Sequence, residues 1–185
     1  VGGPSVKPYQ PAGYWEFLNF PKREWVADRG EDQYRRGLYT FWQRTLLHPS
    51  LMAFDACSRE ESCPDRPRSN TPLQALALLN DPTYVEAARV LAARIVREGG
   101  TTVSDRLTFA FRQAVQRSPS GEEAQRLAAL YEQHEKQFAS DPASASALLR
   151  VGDALPPAER SAPQLAAWTS IAQGNAGPAF LQDNG

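Results

Sequence analysis

Residues 66–94 read RPRSNTPLQALALLNDPTYVEAARVLAAR, and two helix starts follow one another within them. Asn70-Thr71-Pro72 opens one apolar run; Asn80-Asp81-Pro82 closes that run and opens the next. In each case a polar residue precedes a proline, which suits the first helical position because its missing N–H would have no intrahelical partner there. At the second start Thr83 is followed three residues later by Glu86, but Asp81 beside Pro82 is the better cap. The stretch predicts a short helix over 71–79, a sharp corner, and a longer helix over 82–97.

Downstream, Gly99-Gly100 supplies a stop. Leu107, Ala110, Phe111, Ala114 and Val115 then recur at helical spacing within 104–117. Ser118-Pro119-Ser120 caps a further helix over 121–138, with Glu122 and Glu123 in the first turn, where the helix dipole favours anions. Residues 139–163 are rich in Ala, Ser and Pro and read as a linker with one helical turn at 145–150. Ser161-Ala162-Pro163 starts a last helix through Leu165, Trp168 and Ile171.

Upstream, Leu38, Phe41, Trp42, Thr45 and Leu46 lie at i, i+3, i+4, i+7 and i+8, which predicts an amphipathic helix over 34–46 ended by His48-Pro49. Residues 51–70 form a long connection, apolar at Leu51, Met52 and Phe54 and then densely charged, expected to be an ordered loop. Residues 1–14 carry Gly-Gly and three prolines and read as an extended arm, pinned by Trp15, Phe17, Leu18, Phe20 and Trp25. The expected architecture is all-α: an irregular bundle of about five or six helices. It divides into an aromatic-rich arm at 1–30, a helical domain at 31–172 and an irregular tail at 173–185.

Twenty Lys and Arg against 21 Asp and Glu leave a net charge of −1, so no global field recruits nucleic acid or an anionic surface. No run reaches the ~18 apolar residues of a membrane span. The chain begins Val1-Gly2-Gly3-Pro4, without Met, a basic segment or an apolar segment, so a processed chain or a fragment is expected. Cys57 and Cys63 are too few and wrongly spaced for a Cys-only zinc site; a local disulfide and two free thiols both remain open.

The candidate polar cluster is Asp55, Arg59, Glu60, Arg66, Arg68, Asn70, Thr71 and Gln74. Arginine forks and the bare N–H groups of a helix start suit an anionic ligand. The same residues would equally tie a long loop to the helices, and Arg59, Glu60, Arg68 and Asn70 are expected to make those contacts. His48 reads as a helix-ending residue and His134 as a hydrogen-bonded core histidine; neither accompanies a metal or acid–base motif. Trp15, Phe17, Trp25, Phe41 and Trp42 read as core, with a sugar-stacking platform as the functional alternative. Nucleotide, serine-hydrolase and c-type haem motifs are absent from these residues, and no catalytic residue is assigned.

RRGLYTFWQRT at 35–45, FDACSREESC at 54–63 and the opening stretch at 66–94 resemble the C-terminal, planctomycete-specific domain of unknown function 1553. SVKPYQPAGYWE at 5–16 and AAWTSIA at 166–172 resemble its flanking blocks. Two departures stand out. Cys57 replaces a proline or small residue, with Cys63 near the usual family cysteine, and QGNAGPAFLQDNG replaces a Leu-rich helical continuation.

The resemblance implies a last part of a larger exported protein, extracytoplasmic or periplasmic, often preceded by a cytochrome-c-like domain. Haem c would then belong upstream, with no cofactor in this chain. It implies upstream domains of the same protein as partners, polysaccharide as a candidate partner, and no established activity. The leading expectation is a non-catalytic structural or interaction module. The alternative is a ligand-binding part of a multidomain redox or polysaccharide-processing enzyme, with Asp55, Arg59, Glu60, Arg68, Asn70 and Gln74 holding an anionic sugar.

Overall fold

The computed structural model of the protein describes residues 2–15, 24–42, 46–58, 60, 62–154 and 161–175. Among them the chain is mostly helical: seven α-helices and no strand beyond one isolated bridge between Val6 and Thr40. Two compact units are formed, Val1–Ala77 and Leu78–Gly185.

The first unit is largely irregular and is held by backbone groups rather than by helices. The arm pairs with the chain around Thr40: Val6 N–H donates to Tyr39 O at 2.8 Å and Phe41 N–H to Val6 O at 2.7 Å. Asp28 fastens the next residue, accepting from Lys7 N–H at 2.6 Å while its own N–H donates to Lys7 O at 2.8 Å. Trp25 Nε1 donates to Pro8 O at 2.9 Å, and Trp15, Trp25 and Phe41 pack ring against ring at 5.0–6.3 Å. Phe17, Leu18 and Phe20 lie outside the described residues.

The helix expected over 34–46 is not formed. Two short 3₁₀ turns, Gly30–Tyr34 and Gly37–Tyr39, stand there instead, and Thr40 is extended (φ −58°, ψ 129°). The apolar spacing misleads because the N–H and C=O groups here are spent on the arm, which a helix would forbid. Leu38, which belonged to the expected buried stripe, is 74% exposed, whereas Thr40 is buried. His48-Pro49 opens a helix rather than closing one: α1 spans Pro49–Ala53, with Pro49 at its first position and His48 as cap. α2 follows at Pro72–Asn80.

The second unit contains α3 (Pro82–Glu98), α4 (Val103–Val115), α5 (Gly121–Ser140), α6 (Pro142–Leu149) and α7 (Ala162–Asn175). Asp81 caps α3, accepting from Thr83 N–H at 2.9 Å. At its other end Gly100 takes the left-handed conformation (φ +92°) that ends the helix. Ser120 and Glu123 form a reciprocal capping box at the start of α5. The segment expected as a single turn is the eight-residue α6, begun by the same acid-then-proline signal, Asp141-Pro142.

α7 lies at the centre of this unit, with α3, α5 and α6 packed on it. Leu165, Ala166, Ala167, Trp168, Ile171 and Ala172 are all at most 2% exposed, so the helix is buried on more than one face. The alanines allow close approach, and Trp168 lies against Tyr131 with ring centroids 4.4 Å apart. Thr169, fully buried, satisfies its hydroxyl by donating to Leu165 O at 2.8 Å. α7 runs to Asn175, three residues into the expected tail.

Candidate functional site

The charged connection between α1 and α2 folds back on itself through Asp55. This residue has a left-handed backbone (φ 58°), which aspartate tolerates better than most side chains. Its carboxylate accepts from Ser69 N–H at 2.9 Å, from Ser69 Oγ at 2.7 Å and from Gln74 Nε2 at 3.2 Å. Hydrogen bonds from the Ser69 hydroxyl and backbone hold the Asp55 carboxyl below the usual carboxylate range. Arg66 closes the other side: its Nε donates to Asp55 O at 2.9 Å and its Nη2 to Phe54 O. Between these anchors Cys57 and Cys63 are joined by a disulfide, their Cα atoms 6.3 Å apart.

Gln74 works in both directions. Its Oε1 accepts from Thr71 N–H at 3.2 Å, and its own N–H donates to Thr71 Oγ1 at 3.3 Å. This is a capping box, legible in the sequence as Thr71-Pro72-Leu73-Gln74. Its Nε2 also reaches Ser69 Oγ at 3.0 Å.

Of the sequence-predicted cluster, the structure brings together Asp55 and Gln74, with Thr71 and Arg66 beside them. Glu60, Arg68 and Asn70 are exposed, and their side chains bond to no described residue; Arg59 lies outside the described residues. Ser69, the hub of the network, is not marked in the sequence, because a lone serine carries no signal until the chain folds back. The helix start is not bare either. The Thr71 N–H is spent on Gln74, and a carboxylate already fills the place an anionic ligand would take.

A second arrangement lies elsewhere in the first unit. Gln10, Tyr14, Trp15, Glu24, Trp25 and Val26, with the turn at 11–13, line a cleft of about 310 Å³. Tyr14 N–H donates to Pro11 O, and Gly13 (φ +83°) supplies the left-handed corner. The Tyr14 hydroxyl donates to Leu47 O at 3.0 Å, and burial pushes its pKa up. Gln10 is 7% exposed, and its Oε1 is buried without a hydrogen-bond partner. Buried amide oxygens are nearly always paired, so this one is an exception.

The two histidines take roles other than those expected. His48 sits at the N-terminal end of α1, where its Nδ1 accepts from Ser50 N–H at 3.3 Å, and packs against Trp25. That bond needs an unprotonated nitrogen, the reverse of a cation at a helix C-terminus. His134 is half-buried against Phe138 with Nδ1 unbonded, and burial lowers its pKa. Among the described residues no group of three His, Cys, Asp or Glu side chains is placed to share a metal ion, and no helix is long and apolar enough to cross a membrane.

No curated protein and no solved structure matches the chain. A family model described as PSD1, protein of unknown function (DUF1553), matches residues 1–131, which takes in the Asp55 network, the cleft and the paired helix starts. With 131 of 185 residues matched, the chain belongs to the PSD1 family of proteins of unknown function (DUF1553).

Proposed function

We propose that this chain is a non-catalytic structural or interaction module of a larger extracytoplasmic protein. One observation carries the reading: where the segment 54–74 folds back, the groups that meet there are spent on one another. Asp55, Arg66, Ser69, Thr71 and Gln74 all bond within the segment. The Cys57–Cys63 disulfide fits an oxidising compartment, where such bonds persist.

Asp55→Gly tests the structural role cleanly, because glycine keeps the left-handed backbone without strain and removes only the carboxylate. The expected result is a lower melting midpoint. A midpoint equal to or above wild type would overturn the reading, because groups kept for ligands are released from strain when removed. Alkylation of thiols in intact cells should find Cys57 and Cys63 protected until a reductant is added; modification before reduction would overturn the extracytoplasmic placement.

A further inference from the structure

The Cys57–Cys63 disulfide closes a surface loop whose two ends are already held beneath it. At the near end Ala56 N–H donates to Leu51 O of α1 at 2.9 Å. At the far end Arg66 reaches back, with Nε donating to Asp55 O at 2.9 Å and Nη2 to Phe54 O, while Ser69 N–H donates to the Asp55 carboxylate at 2.9 Å. Between these anchors the described residues from Cys57 to Asp65 hydrogen-bond only to one another, and all but the half-buried Cys57 are exposed.

A disulfide that staples a fold joins parts of a chain that nothing else holds together. This one links residues whose flanks Asp55 and Arg66 already fix, so opening it leaves those hydrogen bonds standing. Cys63 is exposed, and exposed disulfides are the ones thiolates attack most readily. Once the bond is open, the held flanks keep the two thiols together. Their Cα separation of 6.3 Å is within the range a bridge requires, so the bond re-forms without a conformational search. Asp65 O, 3.5 Å from Cys63 Sγ, offers the freed thiol an acceptor.

We propose that Cys57–Cys63 is a reversible thiol–disulfide exchange site that takes two electrons from a dithiol. One thiolate of the dithiol attacks the exposed Cys63 Sγ, and the electron pair of the broken S–S bond leaves on Cys57 Sγ, which takes a proton. The second thiol of the dithiol then attacks the mixed disulfide and releases Cys63 as a thiol. The dithiol ends as a disulfide, and its two protons and two electrons end on the two cysteines. This role goes beyond the module reading and is independent of it, because the exchange is stoichiometric and uses no catalytic group.

The test exposes the purified, native chain to two dithiols, dithiothreitol and thioredoxin, and to the monothiol glutathione, with acid quenching, alkylation and mass spectrometry of the cysteine peptides. Dithiothreitol should open the bond without denaturant, at a rate within about tenfold of that in urea. Opening by thioredoxin as well marks a protein donor, and opening by dithiothreitol alone a small one. Glutathione should be found on Cys63, with Cys57 alkylated. The reduced chain should keep a cooperative melting transition. Arg66→Gln removes the fork that holds the flanks, so it should leave opening as fast as in wild type and slow closure by oxidised glutathione several-fold. A bond that opens only in urea, glutathione on Cys57, a reduced chain without a cooperative transition, or an Arg66→Gln chain that closes as fast as wild type would overturn the proposal.

Discussion

Glu86, on the buried face of α3, accepts from two backbone N–H groups far along the chain: Asp153 at 2.5 Å through Oε2 and Ala154 at 3.1 Å through Oε1. One helical turn on, the buried Arg89 donates to Ala154 O at 2.5 Å, so α3 clamps both edges of the segment after α6. Gly152 is required beneath the clamp: it is left-handed (φ +92°), and a Cβ there would lie 2.0 Å from Glu86 Oε2. Glu86→Ala leaves two N–H groups without acceptors. Each charge-assisted bond is worth about 1.5–3 kcal/mol, and removing the carboxylate recovers part of its desolvation cost, for a net loss of about 2–4 kcal/mol. For a chain of this size that lowers the midpoint by about 5–15 °C. Scanning calorimetry measures it, and Glu86→Gln decides the cause. Glutamine preserves volume but turns an N–H donor toward one of the two backbone N–H groups, so it should be nearly as destabilising as alanine. A Glu86→Gln midpoint equal to wild type would refute the clamp and leave only packing.

Two further outcomes are expected. Arg117 grips Glu123 with both nitrogens, at 2.7 and 2.8 Å, and Ser120 N–H donates to it, so its carboxyl is held at about 2. A depressed carboxylate pKa adds stability that is present above the unfolded value of about 4.3 and lost as pH falls toward the folded one. Melting followed from pH 6 to pH 2 should decline through that window, and Glu123→Gln should flatten this part of the decline; an unchanged slope would count against the pairing. A chain ending at residue 131, where the family match stops, lacks the second half of α5 together with α6 and α7. Without Trp168 and Ile171 the core around Ile95, Phe111 and Leu127 has nothing to close on, so near-ultraviolet dichroism should show no cooperative transition from this part. A sharp one would show that α7 and the elements lost with it are dispensable.

The caps are where sequence and structure agree most closely. Asp81-Pro82 and Ser120 through Glu123 place side-chain oxygens one turn from the N–H groups they satisfy, and such short-range geometry follows from residue order alone. The predicted helices over 71–79, 82–97, 104–117 and 121–138 therefore appear within a few residues of their expected bounds. Asp141-Pro142 carries the same signal, but its Ala- and Ser-rich surroundings read as a linker. The 34–46 region shows the limit of periodicity: three or four residues between apolar side chains suit a helix, but an arm thirty-odd positions upstream claims the backbone.

The candidate site divides in the same way. Thr71 and Gln74 are three residues apart, and their reciprocal bonds could be read directly. Asp55, Ser69 and Gln74 span 19 positions, and which side chain meets which depends on a reversal of the chain that no local pattern specifies. Gln10 is more extreme: nothing distinguishes it from any other glutamine until the folded chain buries it and leaves its oxygen unpaired. By itself the sequence determined the helix starts and stops, the all-α class and the family, because these rest on contacts within one turn or on residue identity. Only the tertiary structure decided what the arm pairs with, the buried place of α7, the Glu86 clamp and the cleft beside Gln10, because burial and long-range pairing are properties of the folded chain.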